Sequence, residues 1–247
     1  MNNDFNNKTV LITGATRGIG KHTSDLFENA GANLILTGTK ENEIQELNDK
    51  YKNYNRNYFL LNLKSENSIN NFLSKLSSYN KIDILINNAG INILDNFIDV
   101  NNKDYDLMLS INLKGAFLLS QYCAKKMINN GYGRITNICS IWSKITREKR
   151  SVYTITKNAL HGMTQSMAIE LGSSNILVNS VSPGFTLTEL TKNTNSKEEI
   201  SLIEHKIPMR RMAQPQEIGS LIYFLSSDKN SYITGQNIVI DGGYTIV

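Results

Sequence analysis

Proline is nearly absent, with three residues in 247, and cysteine is scarcer still, with two. So little proline, together with clear apolar periodicity, excludes a disordered or polyproline chain. Cys123 and Cys139 lie in apolar surroundings without CxxC or metal-type spacing. A disulfide scaffold or zinc module is therefore excluded, and two buried free thiols in a reducing compartment are expected. No segment approaches 18 uninterrupted apolar residues, and the opening MNNDFNNKTV lacks the apolar run of a signal peptide. The expectation is a cytoplasmic protein with no membrane span. An excess of one charge is missing too: 26 basic against 22 acidic side chains leave +4, too little and too dispersed to imply nucleic acid. His22, His161 and His205 fall on separate segments without ligand spacing, so no metal is expected.

What is present is alternation. Short β-rich runs (TVLIT at 9–13, NLILT at 33–37, YFLL at 58–61, IDILIN at 82–87, RITNICS at 134–140, NILVNSVSP at 175–183 and NIVI at 237–240) are separated by helical patterns. Two of these are long, at about 103–130 and 152–172. Apolar runs without strict polar alternation are what strands covered on both faces require. The predicted fold is α/β, a doubly wound parallel sheet with helices on both faces (Rossmann-like), as a single domain over 1–247. Ligands of such sheets lie beyond the carboxyl ends of the strands, so the loops after residues 13, 37, 61, 87, 140 and 182 should line one crevice.

The first of those loops reads TGATRGIG, residues 13–20. Gly14, Gly18 and Gly20 between a strand and a helix let backbone approach a pyrophosphate at a helix N-terminus, which points to dinucleotide binding. An NAD enzyme typically places an acid after the second strand, but Gly38 stands there. Arg17, Thr39 and Lys40 suit a 2′-phosphate, so NADP(H) is preferred over NAD(H). Farther along, Tyr153 and Lys157 are four positions apart in a helical pattern and so share a face.

TGATRGIG, NNAG at 87–90, Asn112 in INLKGAF, Ser140 in NICSIWS, Tyr153 and Lys157 in YTITK, and SPGFTLTEL at 182–190 resemble the short-chain dehydrogenase/reductases, in order and over essentially the whole chain. RRMAQPQEIG near 211–219 and YITGQNIVIDGG at 232–243 are most similar to the 3-oxoacyl-acyl-carrier-protein reductase branch. The resemblance implies an NAD(P)-dependent oxidoreductase acting on CH–OH or C=O groups of a small molecule. Asn112, Ser140, Tyr153 and Lys157 would be its catalytic residues. Tyr153 would be the proton donor, its phenolate stabilised by the Lys157 ammonium. Ser140 would hold the carbonyl oxygen, and Asn112 would order a water linking the lysine to solvent. Cofactor contacts are implied for Gly14, Thr16, Arg17, Gly18, Ile19, Gly20, Thr39, Asn88, Gly90, Tyr153, Lys157, Pro183, Gly184, Thr186 and Thr188. Asn62 and Leu63 match the adenine pair, with Asn62 where the family usually has Asp.

The resemblance thins at the substrate. Gly131 and Ser174 stand where that branch has two basic residues that grip the carrier protein, which leaves acyl carrier protein an open partner. The segment IWSKITREKRSV is strongly basic, with Lys144, Arg147, Lys149 and Arg150. It fits either a solvated surface run or an anionic, sugar-like substrate of glycan precursor synthesis. Trp142 could pack on a sugar face or an acyl chain. A non-catalytic dinucleotide-binding protein is the alternative from another class. Residues 186–212 read as a substrate lid, with Ser196 and Glu199 forming a capping box. By resemblance, the two long helices should pair across subunits in a homotetramer or homodimer.

Overall fold

The apolar runs become strands β1 (Thr9–Ile12), β2 (Asn33–Gly38), β3 (Arg56–Leu60), β4 (Ile84–Asn87), β5 (Gly133–Ile138), β6 (Ile176–Pro183) and β7 (Asn237–Ile240). They form one sheet in a computed structural model that describes residues 4–247. Every neighbouring pair is parallel, in the order β3-β2-β1-β4-β5-β6-β7. Parallel neighbours cannot be joined by a tight hairpin, so each connection must cross back over a face of the sheet. The crossovers are made by α1 (Gly18–Asn29), α2 (Glu41–Lys50), α3 (Glu66–Leu76), α4 (Asn102–Leu109), α5 (Gly115–Asn130), α6 (Ser151–Leu171), α7 (Glu189–Thr194), α8 (Lys197–Lys206) and α9 (Pro215–Ser226).

Successive strand residues point to opposite faces, and here both faces are dry. Val10, Ile12, Leu34 and Leu36 pack with Phe27 of α1 and with Ile218 and Ile222 of α9. Their sequence neighbours Leu11 and Ile35, with Leu85 of β4, pack on the other side with Phe72 and Leu76 of α3 and with Leu119 and Met127 of α5. Full burial of one such side chain stabilises the fold by about 1.5–3 kcal/mol, so the two-sided core dominates the energetics.

One expected element is divided. The helical stretch near 103–130 is interrupted between α4 and α5 by a π-turn, Ser110–Lys114, which carries Asn112. A π-turn inserts an extra residue into the helical ladder and turns the side chains beyond it relative to those before it. The reason lies in contacts with distant segments. The Asn112 amide donates to the carbonyl of Ile91 at 2.9 Å and to the hydroxyl of Thr156 on α6 at 3.1 Å, and its oxygen accepts from the Ile91 N–H at 2.8 Å. The expected capping box at the start of α8 is present, with the Ser196 hydroxyl accepting from the Glu199 N–H and the Glu199 carboxylate accepting from the Ser196 N–H. Among the described residues, no helix is long and apolar enough to cross a membrane.

Candidate active site

β1 lies between β2 and β4, so the crossover leaving β1 towards β2 and the one leaving β4 towards β5 depart to opposite sides and open a crevice at the carboxyl end of the sheet. The cleft there has a volume of about 320 Å³. It is lined by the loops after β1, β2, β3 and β4 and by Thr188 and Glu189 at the start of α7. Thr188 belongs to the expected loop after residue 182, whereas the expected loop after residue 140 does not itself line the cleft and adjoins it through Gly90 and Lys157.

Backbone geometry in the first loop demands glycine. Gly18 has φ 55°, in the left-handed region, and a Cβ at Gly20 would lie 2.4 Å from the Gly14 carbonyl oxygen. The first turn of α1 holds no acidic residue, and its N-cap, Arg17, makes no side-chain capping bond. The N–H groups of that turn are thus open to an anion, which fits the pyrophosphate of a dinucleotide. Asn88 braces this loop. Its amide donates to the carbonyls of Thr13 and Gly14, each at 2.9 Å.

Of the other expected contacts, Thr16, Arg17, Thr39, Asn62, Leu63 and Gly90 line the cleft. Ile19 and Gly20 belong to α1, with Ile19 packed against the core of that face and Gly20 buried. Arg17 and Lys40 are exposed at the cleft and form no ion pair among the described residues. Gly38 leaves no room for an acid, because a Cβ there would meet the Thr16 methyl at 2.5 Å. An acid unmarked by sequence reading does reach the cleft: Glu43, from the first turn of α2. Its signal was only helical phase, one residue before buried Ile44. Pro183 ends β6, Gly184 lies against Asp241, Thr186 is buried with its hydroxyl donating to the Gly184 carbonyl at 3.2 Å, and Thr188 lies against Gly18.

The four polar residues expected to act together come from three places in the chain: the π-turn, the segment after β5, and α6. Tyr153 and Lys157 share a face of α6, with the Lys157 ammonium 5.5 Å from the centre of the Tyr153 ring. Lys157 is buried, and its Nζ donates to the Ile138 carbonyl at 2.7 Å. That bond joins α6 to the end of β5, where the buried Ser140 follows. The Ser140 hydroxyl accepts from the Trp142 N–H at 3.3 Å. Gly90 is the meeting point with the cleft, since a Cβ there would lie 3.3 Å from Asn112 Oδ1 and 3.4 Å from Lys157 Nζ. Asn112 is further coupled to α6 through Thr156, whose hydroxyl donates to the Tyr153 carbonyl at 2.8 Å. The histidines take no part: His161 contacts the Ser180 hydroxyl at 3.1 Å, and no metal-type cluster occurs among the described residues.

Residues 14–245 match the profile of the enoyl-(acyl carrier protein) reductase family. A 3-oxoacyl-[acyl-carrier-protein] reductase of Rickettsia conorii is 38% identical over 99% of both chains. An NAD-dependent glycerol dehydrogenase of Listeria innocua is 36% identical over 98% of this chain and 96% of its own. A gluconate 5-dehydrogenase of Burkholderia cenocepacia, crystallised with NADP and tartrate, superimposes with a TM-score of 0.92 at 26% identity, covering 100% of this chain and 98% of that one. With near-complete coverage, a seven-stranded parallel sheet and the glycine-lined crevice in agreement, the chain belongs to the short-chain dehydrogenase/reductase family of NAD(P)-dependent oxidoreductases.

Proposed function

We propose that this protein reduces the carbonyl of a 3-oxoacyl thioester with NADPH, Tyr153 giving the proton. The observation that carries the reading is the buried Lys157 ammonium beside the Tyr153 ring, at the wall of a cleft suited to a dinucleotide. A bound reduced nicotinamide supplies the hydride. The Lys157 ammonium has three N–H donors, of which one is used on Ile138, leaving two for the cofactor ribose and the Tyr153 oxygen. Its charge favours the phenolate left behind when Tyr153 protonates the carbonyl oxygen. The Ser140 hydroxyl accepts from Trp142 and, among the described residues, spends its own hydrogen on no partner. That hydrogen is free to stabilise the developing oxyanion. Both amide hydrogens of Asn112 are committed, but its oxygen, bonded once, keeps a lone pair for a water beside Lys157.

Tyr153→Phe should lower turnover about 10²–10⁴-fold with little change in NADPH affinity by fluorescence titration. Activity within a few-fold of wild type would overturn the assignment. NADPH preference rests on Gly38, which offers no carboxylate to a ribose hydroxyl, and on the cations Arg17 and Lys40; the opposing acids that line the cleft are Glu43, in the first turn of α2, and Glu189, at the start of α7. The expected kcat/KM is at least about tenfold higher with NADPH, as one charge-assisted contact would give. A higher value with NADH refutes it.

In the same reading, residues 186–212, containing α7 and α8, close over the substrate. Acyl carrier protein would be the natural donor of the thioester, yet no base stands at Gly131, which caps α5 in the left-handed conformation, or at Ser174. That absence favours a second reading, a small polar oxo or hydroxy substrate, in keeping with the glycerol and gluconate dehydrogenases among the similar proteins. A panel of 3-oxoacyl thioesters and sugar ketones, followed by NADPH oxidation, separates the two.

A further inference from the structure

The basic segment that follows Ser140 does not simply face solvent. Trp142 is buried, and two arginines lie against it: Arg150 with its guanidinium carbon 4.7 Å from the ring centre and Arg147 at 5.6 Å. The indole is held edge-on by Phe185 at 6.3 Å, and Phe185 by Tyr244 at 5.2 Å. The turn beneath is pinned as well. The Ser143 hydroxyl donates to the Ser140 carbonyl at 2.7 Å, accepts from the Asn237 amide at 2.9 Å and meets the Ser182 hydroxyl at 2.9 Å.

Arg150 is the anomaly in this cluster. It is half-buried at the N-cap of α6, one turn before Tyr153. Its Nε is inaccessible to solvent and has no hydrogen-bond partner, and no carboxylate of the described residues pairs with it. Burial, and then the neighbouring Arg147 charge, hold its guanidinium below the ordinary arginine range. Lys149 takes the left-handed conformation, φ 62°, a strained choice for a non-glycine residue, and this turn leads the chain into Arg150 on the indole. Taking a guanidinium from water without an anion is unfavourable, and two cations on one ring repel each other. An oxyanion between them would remove both penalties. The two Nη groups, unlike the enclosed Nε, are not shut off from solvent and make no hydrogen bond among the described residues, so their outer edge offers the paired N–H groups that a carboxylate or phosphate accepts.

We infer that Arg150, seated on Trp142 beside Tyr153, selects substrates that carry an oxyanion, carboxylate or phosphate, on the same small molecule as the reducible carbonyl. The inference rests on the carbonyl-reductase reading above and narrows its substrate class. Arg150 acts on recognition, so its effect falls on KM for charged substrates more than on kcat.

Matched pairs test it by NADPH oxidation: 5-ketogluconate against L-sorbose, levulinate against its methyl ester, and dihydroxyacetone phosphate against dihydroxyacetone. The third pair separates phosphate from carboxylate as the source of the anion. Wild type should prefer the charged member by at least about tenfold in kcat/KM, a charge-assisted contact's worth. In Arg150→Met that ratio should collapse, mainly through KM, and in Arg150→Lys, which keeps the charge and loses the fork, it should fall part-way. No preference in wild type, or a preference that survives in Arg150→Met with an unchanged melting temperature, overturns the inference. If no pair consumes NADPH, the reductase reading fails, and calorimetric titration of the NADP⁺-loaded enzyme with tartrate and with inorganic phosphate decides separately. Binding at least tenfold weaker in Arg150→Met than in wild type, and intermediate in Arg150→Lys, sustains the site; absent or Arg150-independent binding removes it.

Discussion

Single side chains in this molecule are tuned by what surrounds them, and the two thiols illustrate it. Burial pushes Cys123 up to about 12 and Cys139 up to about 11, the latter despite the opposing pull of the Lys157 charge. Since the thiolate is the reactive form, the folded protein at pH 8 should react with an aromatic disulfide reagent far more slowly than the guanidinium-unfolded chain. Rapid labelling of either cysteine before unfolding would contradict this. Their inertness was legible in the sequence from their apolar neighbours. The partners of polar residues were less so. Asn88 was expected at the cofactor and Asn112 at a water, and motif spacing could not disclose that their amides brace Gly14 and Ile91, more than 70 and about 20 positions away in the chain. Such bonds depend on which loops the sheet order brings together.

At the scale of elements, the strands were the most readable part, because a two-sided core forces apolar residues into consecutive positions. The π-turn was invisible: SINLK has the composition of ordinary helix, and its extra residue is stabilised by bonds from Asn112 to partners on other segments. The capping box of α8 was visible, being a local pattern. It supplies a test of the proposed lid. Ser196→Ala removes the acceptor for the Glu199 N–H and should weaken α8 by about 1 kcal/mol. Global melting should shift little, while proteolysis within residues 186–212 becomes faster and the KM for carbonyl substrate rises. Unchanged cleavage and KM would show that this segment does not close over the site.

For the molecule as a whole, α5 and α6 carry apolar side chains that nothing in one chain covers: Phe117 and Ile128 on the first, Ile155 and Ile169 on the second, with Ile169 84% exposed. Patches of this kind mark association surfaces, consistent with the expected homodimer or homotetramer. Ile169→Glu should place a charge in that contact and halve the mass, or reduce it to the monomer, by light scattering. A wild-type protein that is already monomeric at micromolar concentration would dismiss the assembly.

The position of β1 between β2 and β4 has a kinetic meaning. Val10 pairs with Leu34, some two dozen residues on, but also with Ile84, more than seventy residues away. During synthesis, the strand that begins the ligand crevice must therefore wait, open along one side, until the fourth strand has left the ribosome. Closing so large a loop before any contact rewards it makes the joining of these two strands a natural slow step. Whatever guards that waiting edge from foreign strands sets how much of the chain reaches a working form.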